Sequence, residues 1–379
     1  MNMIQDIFNL GYKAYCDKYI PSPEQRKAAY SIMNCKTGKI GYYTYVCSDC
    51  GFVIEQPCSC RNRHCPSCQS LNREKWIDAR KSEIFDNSQY FHIVLNVPAQ
   101  LRTIFIMNQQ LLYSLLFQCS SDAIVELSRS EMGMGGTPCI TQTLHTWGQQ
   151  LNYHPHIHSI VSGIGLSPIK QLVSCKKDFL FPVQMLMKSF RGKFLYHLDL
   201  LYKSNSLKLP EYLLGDQAWI NLMSKLYELD WAPYIKDTFN GNGNAIDYLG
   251  RYINRIAISN SRIKEFTDSN VTFSSYNYRT NEKEDVTLNI VEFIHRYLNH
   301  VLPKGLQKIR HSGLLNNRFK YRNIKLLAIL LKEYQRKAIL KDLNMAETLK
   351  LLWNIDISVC PECHGHNLKL AALHFHQRL

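Results

Sequence analysis

His154-Pro155-His156-Ile157-His158-Ser159-Ile160-Val161 is the stretch on which the reading of this chain turns. Successive side chains of a strand alternate faces, so His156 and His158 project from one side, about 6.6 Å apart along the strand. Two imidazoles at that spacing can grip one divalent ion. Ile157 points the other way, into a core, and the apolar run after it continues the strand. His154 and His158 lie about 13 Å apart, too far for one ion, and Pro155 weakens the strand before the pair. His156 and His158 are therefore the ligand pair. Catalytic ions commonly take a third protein group. His145, Gln149 and Gln150 lie just upstream; no motif selects among them, and Gln149 is the one assigned.

Outward from this strand the pattern is mixed. Residues 90–97 read as a strand ended by Pro98, 100–130 as amphipathic helix, and 140–147 and 154–166 as two further strands. Helical spacing covers residues 1–30, 70–85 and most of 180–230. Residues 271–289 resemble a polar hairpin with a charged turn, and the remainder reads as helical until a final Cys pair. The fold class expected is α+β: an antiparallel sheet flanked by helices, preceded by a small Cys-rich module and followed by a helical C-terminal region. The divisions expected are residues 1–85, 86–290 and 291–379.

Asn240-Gly241-Asn242-Gly243-Asn244 is a turn, and a helix over 245–257 follows it. That helix carries Tyr248-Leu249-Gly250-Arg251-Tyr252, two phenols four apart and so on one face. Two histidines on a strand and one or two tyrosines on a helix are the parts of a metal-assisted tyrosine nuclease. A free phenol has a pKa near 10 and is a poor nucleophile at pH 7, so an ion must polarise the scissile phosphate. Two tyrosines on one face permit two successive transfers, and Arg251 and Arg255 could hold phosphates. From spacing alone an ordinary aromatic stripe is the commoner origin of such a pair, since the chain holds 22 tyrosines.

Thirteen cysteines are present. Cys16, Cys119, Cys139 and Cys175 are isolated and read as small buried hydrophobes. Cys47-x2-Cys50 and Cys65-x2-Cys68 are two knuckle pairs in one short window, and four thiolates suit tetrahedral Zn²⁺. Cys35, Cys58, Cys60 and His64 could replace one of the four or build a second site; Cys60 is added to the candidate set. A closed site of this kind is structural rather than catalytic. Cys360-Pro361-Glu362-Cys363 is a further knuckle, for which His364, His366, His374 or His376 could complete a second zinc site. Arg61, Arg63 and Arg73 beside the N-terminal module could grip phosphates.

The formal net charge of +14 and pI near 9.1 imply a polyanionic partner, foremost nucleic acid. Residues 293–332 contain no Asp or Glu. They carry Lys308, Arg310 and Arg318 among other basic residues, with Tyr297, Phe319 and Tyr321 interleaved, which suits backbone tracking and base stacking on single-stranded DNA. With acidic partners absent from the segment, a salt-bridge network is not expected there. No apolar run is long enough to span a bilayer, and the start lacks the pattern of a signal peptide. A cytosolic, nucleoid-associated protein is expected.

In order along the chain stand Ser59-Cys60-Arg61-Asn62-Arg63-His64-Cys65-Pro66, Leu144-His145-Thr146-Trp147-Gly148, His154-Pro155-His156-Ile157-His158 and Tyr248-Leu249-Gly250-Arg251-Tyr252. Together they resemble the rolling-circle HUH transposases with two tyrosines, the insertion-sequence-ninety-one type, over roughly residues 30–320. The resemblance implies a zinc-binding N-terminal domain, then a nuclease domain with Mg²⁺ or Mn²⁺ that nicks and joins single strands at the ends of a mobile element. It implies His156 and His158 as metal ligands and Tyr248 and Tyr252 as nucleophiles, Tyr248 foremost; it transfers no third ligand. A plasmid replication initiator or relaxase would share this chemistry. No G-x-x-x-x-G-K-[ST] phosphate loop is present, which suggests reliance on host helicase and replication proteins. A non-enzymatic zinc-dependent DNA-binding regulator is the third reading, and it predicts histidines and tyrosines scattered or buried.

Overall fold

In the computed structural model, the described residues are 2–240, 250, 256–277 and 280–375. The frame is an antiparallel sheet ordered β11-β4-β5-β3-β7, with the short β6 (Leu172–Ser174) on the end of β5. Its strands are β3 (Gln89–Asn96), β4 (Thr137–Trp147), β5 (Tyr153–Leu166), β7 (Tyr234–Asn240) and β11 (Ile309–Gly313). The histidine strand, β5, is its middle member. Alternation decides the two faces. Ile157 and Val161 of β5, with Ile140 and Leu144 of β4 and Ile93 and Leu95 of β3, enter one large apolar cluster and are almost wholly buried. Helices α4 (Arg102–Met107), α5 (Gln109–Arg129) and α6 (Val183–Lys203) supply its other half, joined by Trp219 of α7 (Asp216–Glu228). Each side chain fully buried there contributes about 1.5–3 kcal/mol relative to exposure, which makes the sheet a rigid platform.

A second apolar core joins parts distant in sequence. Helices α1 (Met3–Lys18) and α2 (Pro23–Asn34) pack with α8 (Ile290–Asn299) and with β8 (Ile263–Phe266) and β9 (Asn270–Asn277). A reciprocal capping box fixes the start of α2: Ser22 Oγ accepts from Gln25 N–H while Gln25 Oε1 accepts from Ser22 N–H, with Pro23 at the first helical position. Gly11 of α1 faces Ile290 and Ile294 so closely that a Cβ there would come within 2.8 Å of Ile290. β9 pairs with β10 (Glu282–Asn289) as the expected hairpin, and Asn281 at its turn takes φ +62°. Helix α3 (Ser70–Lys81) crosses the face of the central sheet opposite α5; its Trp76 packs on Tyr90 and Ile160.

The α+β class and the antiparallel sheet are as expected, but the C-terminal region is not simply helical. Besides α9 (Lys320–Leu331) and α10 (Met345–Trp353), it supplies β11 to the edge of the central sheet and β12 (Leu368–Phe375) to a separate sheet. That sheet, ordered β12-β1-β2, contains β1 (Gly41–Cys47) and β2 (Val53–Pro57) of the Cys-rich module. Among the described residues no helix is long and apolar enough to cross a membrane.

Candidate metal centre and its cleft

The β4–β5 ladder sets Thr143 opposite His158 and His145 opposite His156. Directly opposed residues share a face, so the hairpin brings three imidazoles together, with ligand nitrogens all within 4.8 Å of one another. Ring centroids are 4.5 Å apart for His145 and His158, 4.8 Å for His156 and His158, and 5.5 Å for His145 and His156. His145 and His158 are buried and His156 is partly exposed. The residue that the fold brings to the pair is therefore His145. Gln149, the residue assigned from sequence, sits in the loop beyond β4, where it lines the cleft and its carbonyl accepts from Arg262. Leaving the strand takes it out of register with the pair. Counting back from the Trp147–Tyr153 pair would set His145 against Pro155; a register shift between His145 and Trp147 brings it opposite His156 instead.

The surroundings orient two of the rings. His156 Nδ1 lies 2.7 Å from the His154 carbonyl, so it carries the proton and donates it, leaving Nε2 to ligate. His158 Nδ1 lies 2.8 Å from Nε2 of His92, a buried β3 residue that the sequence reading passed over. The two rings are coplanar with centroids 5.1 Å apart. Such outer partners fix tautomer and ring direction in metal-binding histidines. Burial pushes His156 down to about 3, so it is neutral at pH 7 as a ligand must be. A three-nitrogen set, open on one side, could hold a divalent transition ion. Replacing His145 by Ala is expected to weaken Mn²⁺ binding more than about 100-fold, and His92→Ala by about 10–100-fold. Gln149→Ala is expected to leave it nearly unchanged. Calorimetric titration with Mn²⁺ on protein retaining its zinc reads this order, and a reversal of His145 and Gln149 would restore the assignment from sequence.

The cluster opens into a cleft of about 1610 Å³. Arg73 of α3, Trp147, Tyr234 and Arg262 line it, as does the segment 256–259 that follows the tyrosine stretch. Tyr248, Tyr252, Arg251 and Arg255 lie outside the described residues. Gly250, between the tyrosines, is helical and buried, and a Cβ there would collide with Ile77, one helical turn from Arg73.

The cysteines group differently from the sequence reading. Cys47 and Cys50 do not meet Cys65 and Cys68. They stand at the tip of the β1–β2 hairpin, whereas Cys35 and Cys60 lie at its base, about 20 Å away along β1. One cluster is Cys35, Cys60, Cys65 and Cys68, with Sγ–Sγ distances of 3.3 Å for Cys35–Cys68 and 3.6 Å for Cys60–Cys68. The other is Cys47, Cys50, Cys360 and Cys363. Cys58 and His64 join neither; His64 Nε2 accepts from Leu302 N–H. The first cluster ties the end of α2 to the start of α3 and so fixes one wall of the cleft.

Several basic residues expected at a DNA surface face inward. Arg63 donates to the carbonyls of Leu302, Pro303 and Leu306, closing the loop after α8. Lys308 lies 4.9 Å from the Trp147 ring, and burial holds its ammonium down to about 7. Arg310 donates to Ser114 Oγ and stacks on Phe117. Tyr297 is core and donates to the His64 carbonyl. Lys320 pairs with Glu83 of the α3–β3 connection, which also pairs with Arg80, so an acidic partner does reach the basic segment from elsewhere in the chain. Arg61 is exposed, its guanidinium 3.3 Å from the Tyr43 hydroxyl. Arg318 and Arg322 flank the exposed ring of Phe319 at 5.2 and 5.0 Å.

The chain is similar to known proteins over most of its length. Residues 139–323 match a family described as "Putative transposase", and residues 7–97 match one described as "Transposase zinc-binding domain". The "Putative transposase y4qJ" of Sinorhizobium fredii is 36% identical over 323 residues, 84% of this chain and 81% of that protein. The "Transposase for insertion sequence element IS801" of Pseudomonas savastanoi pv. phaseolicola is 28% identical over 295 residues, 76% of this chain and 69% of that protein. No solved structure matches.

Proposed function

The chain belongs to the IS91 family of transposases and carries that family's zinc-binding domain, and we propose that it nicks and rejoins single-stranded DNA through a 5′-phosphotyrosine intermediate. The observation that carries this reading is the three-histidine cluster on the middle strand, open to a cleft whose α3 wall abuts Gly250. His145, His156 and His158 would hold a Mg²⁺ or Mn²⁺ ion, which when bound polarises the scissile phosphate and offsets the charge that develops on it. Tyr248 attacks the phosphorus through its phenolic oxygen and gives up its proton. The bond to the 3′ oxygen breaks, that oxygen takes a proton, and the 5′ end stays on the tyrosine. Because the link is a phosphodiester, a later 3′-hydroxyl can attack it and reseal DNA without ATP. Tyr252 supplies a second nucleophile for the next transfer. Arg73 and Arg262 face the cleft with charge suited to the strand's phosphates. Cys35, Cys60, Cys65 and Cys68 hold a structural zinc that fixes the start of α3. DNA unwinding by host helicase and replication proteins would supply the single strand.

The histidines are gathered in an open cleft, which favours an enzyme over a regulator with scattered ones. The test is incubation with labelled single-stranded oligonucleotides carrying element ends, with and without Mn²⁺. A protein–DNA adduct that survives SDS and disappears with chelator is expected. Metal-independent cleavage, or cleavage leaving no adduct, would overturn the proposal.

A further inference from the structure

The second cysteine cluster unites sequence positions more than 300 residues apart. Cys47 Sγ lies 3.7 Å from Cys363 Sγ, and Cys50 Sγ lies 3.7 Å from Cys360 Sγ. A disulfide would need about 2.05 Å. Four thiolates about 2.3 Å from one zinc ion stand about 3.8 Å apart, the edge of a tetrahedron. Both cross-chain pairs match that edge.

The two knuckles also fold alike. In each, the first cysteine N–H donates to the carbonyl five residues on: Cys47 to Phe52 at 2.9 Å and Cys360 to Gly365 at 2.8 Å. In each, its carbonyl accepts from the N–H four residues on, Gly51 at 3.0 Å and His364 at 2.9 Å. Gly51 and His364 both take positive φ, +76° and +58°. The knuckles are bridged by Ser48 N–H to the Asn367 carbonyl and by Asn367 Nδ2 to Asp49.

The sheet that joins the two ends has almost no core. β12 pairs with β1 from Gly41–Phe375 to Cys47–Leu368. Gly41 and Cys47 are the only buried residues of its three strands, and none of their residues enters an apolar cluster. Leu370, Leu373 and Phe375 are exposed. A small sheet without an apolar face is marginal in water, so something other than burial must hold β12 in place. Cys47 and Cys360 are the buried feature at its end, with Cys50 and Cys363 beside them at the surface.

We propose that Cys47, Cys50, Cys360 and Cys363 form a second zinc site, separate from the one at Cys35, Cys60, Cys65 and Cys68, that clasps the C-terminal tail to the N-terminal module. The clasp also holds the tail along α3. Arg336 pairs with Asp86, Asp78 accepts from Leu340 N–H, and Lys75 donates to the Leu343 carbonyl. Thus α3 is gripped at its start by one ion and along its length by a tail that the other secures.

The test is zinc content of the purified full-length protein, by plasma mass spectrometry, with limited proteolysis alongside. Two zinc equivalents are expected. The pair Cys360→Ser/Cys363→Ser should lose one, Cys47→Ser/Cys50→Ser should lose one, and all four changes together should still lose only one, because the pairs share an ion. The tail should become cleavable in each while the central sheet resists. A single equivalent in the unaltered protein, or full zinc retention in the Cys360/Cys363 variant, overturns the proposal. Should the serine variants not fold, Cys363→His keeps four ligands. Loaded with Co²⁺, it should shift the absorption bands of one of two cobalt equivalents, and an unshifted spectrum overturns the clasp.

Discussion

Replacing His156 or His158 by Ala is expected to slow cleavage of single-stranded DNA by about 10³-fold, with DNA retention and zinc content unchanged. An ion that polarises a phosphoryl oxygen is worth several kcal/mol of transition-state stabilisation, and each 1.36 kcal/mol is tenfold in rate. Either change cuts a three-nitrogen set to two. β5 cannot shift to compensate, because β4 and β3 pair with it on both sides and Ile157 is locked in the main core. The variants differ in side effect. His156 is partly exposed, and its loss removes the hydrogen bond to the His154 carbonyl. His158 is buried, and its loss leaves His92 Nε2 without that partner, at a cost of about 1–3 kcal/mol. A small fall in melting temperature is thus expected for His158→Ala alone. Single-turnover cleavage beside Mn²⁺ titration reads the effect. A variant that has lost Mn²⁺ binding yet cleaves at the unaltered rate would remove the cluster from the chemistry.

Local periodicity carried much of the fold. His156, Ile157 and His158 declared a two-faced strand, and the long elements around them needed only their own spacing to be read. What failed was pairing across distance. CxxC turns announce a metal but not which turns share it; the length of the β1–β2 hairpin parts Cys47 from Cys65, and β12 reaches Cys47 from the far end of the chain. β11 and β12 escaped notice because short edge strands are defined by partners rather than by their own residues. The direction of long cationic side chains was equally hidden. Arg63 and Lys308 look on paper like Arg61, yet one closes a backbone loop and the other lies beneath Trp147. His145 was hidden for a related reason, since plain hairpin counting sets it against Pro155 and only the register shift next to Trp147 turns it to His156.

Changing Tyr248 to Phe is expected to abolish the SDS-stable DNA adduct outright, whereas Tyr252→Phe should spare first cleavage and reduce later strand transfer. Phe keeps the ring and its packing and removes only the oxygen that would bond to phosphorus, so a purely structural tyrosine would tolerate the change. With a phenol pKa near 10, only about 10⁻³ of the side chain is ionised at pH 7, and attack depends on charge placed close by. Gly250 supplies an independent arm. Any side chain there would run into Ile77 of α3, so Gly250→Val should force residue 250 away from α3 and cut adduct formation. Mn²⁺ affinity, fixed on β4 and β5, should hold. Mn²⁺ titration therefore separates a misplaced nucleophile from a damaged metal centre. Adduct formation surviving in the Tyr248→Phe/Tyr252→Phe double variant would take both phenols out of the mechanism. Loss of Mn²⁺ binding in Gly250→Val would mean that the wall formed by α3 shapes the histidine cluster itself.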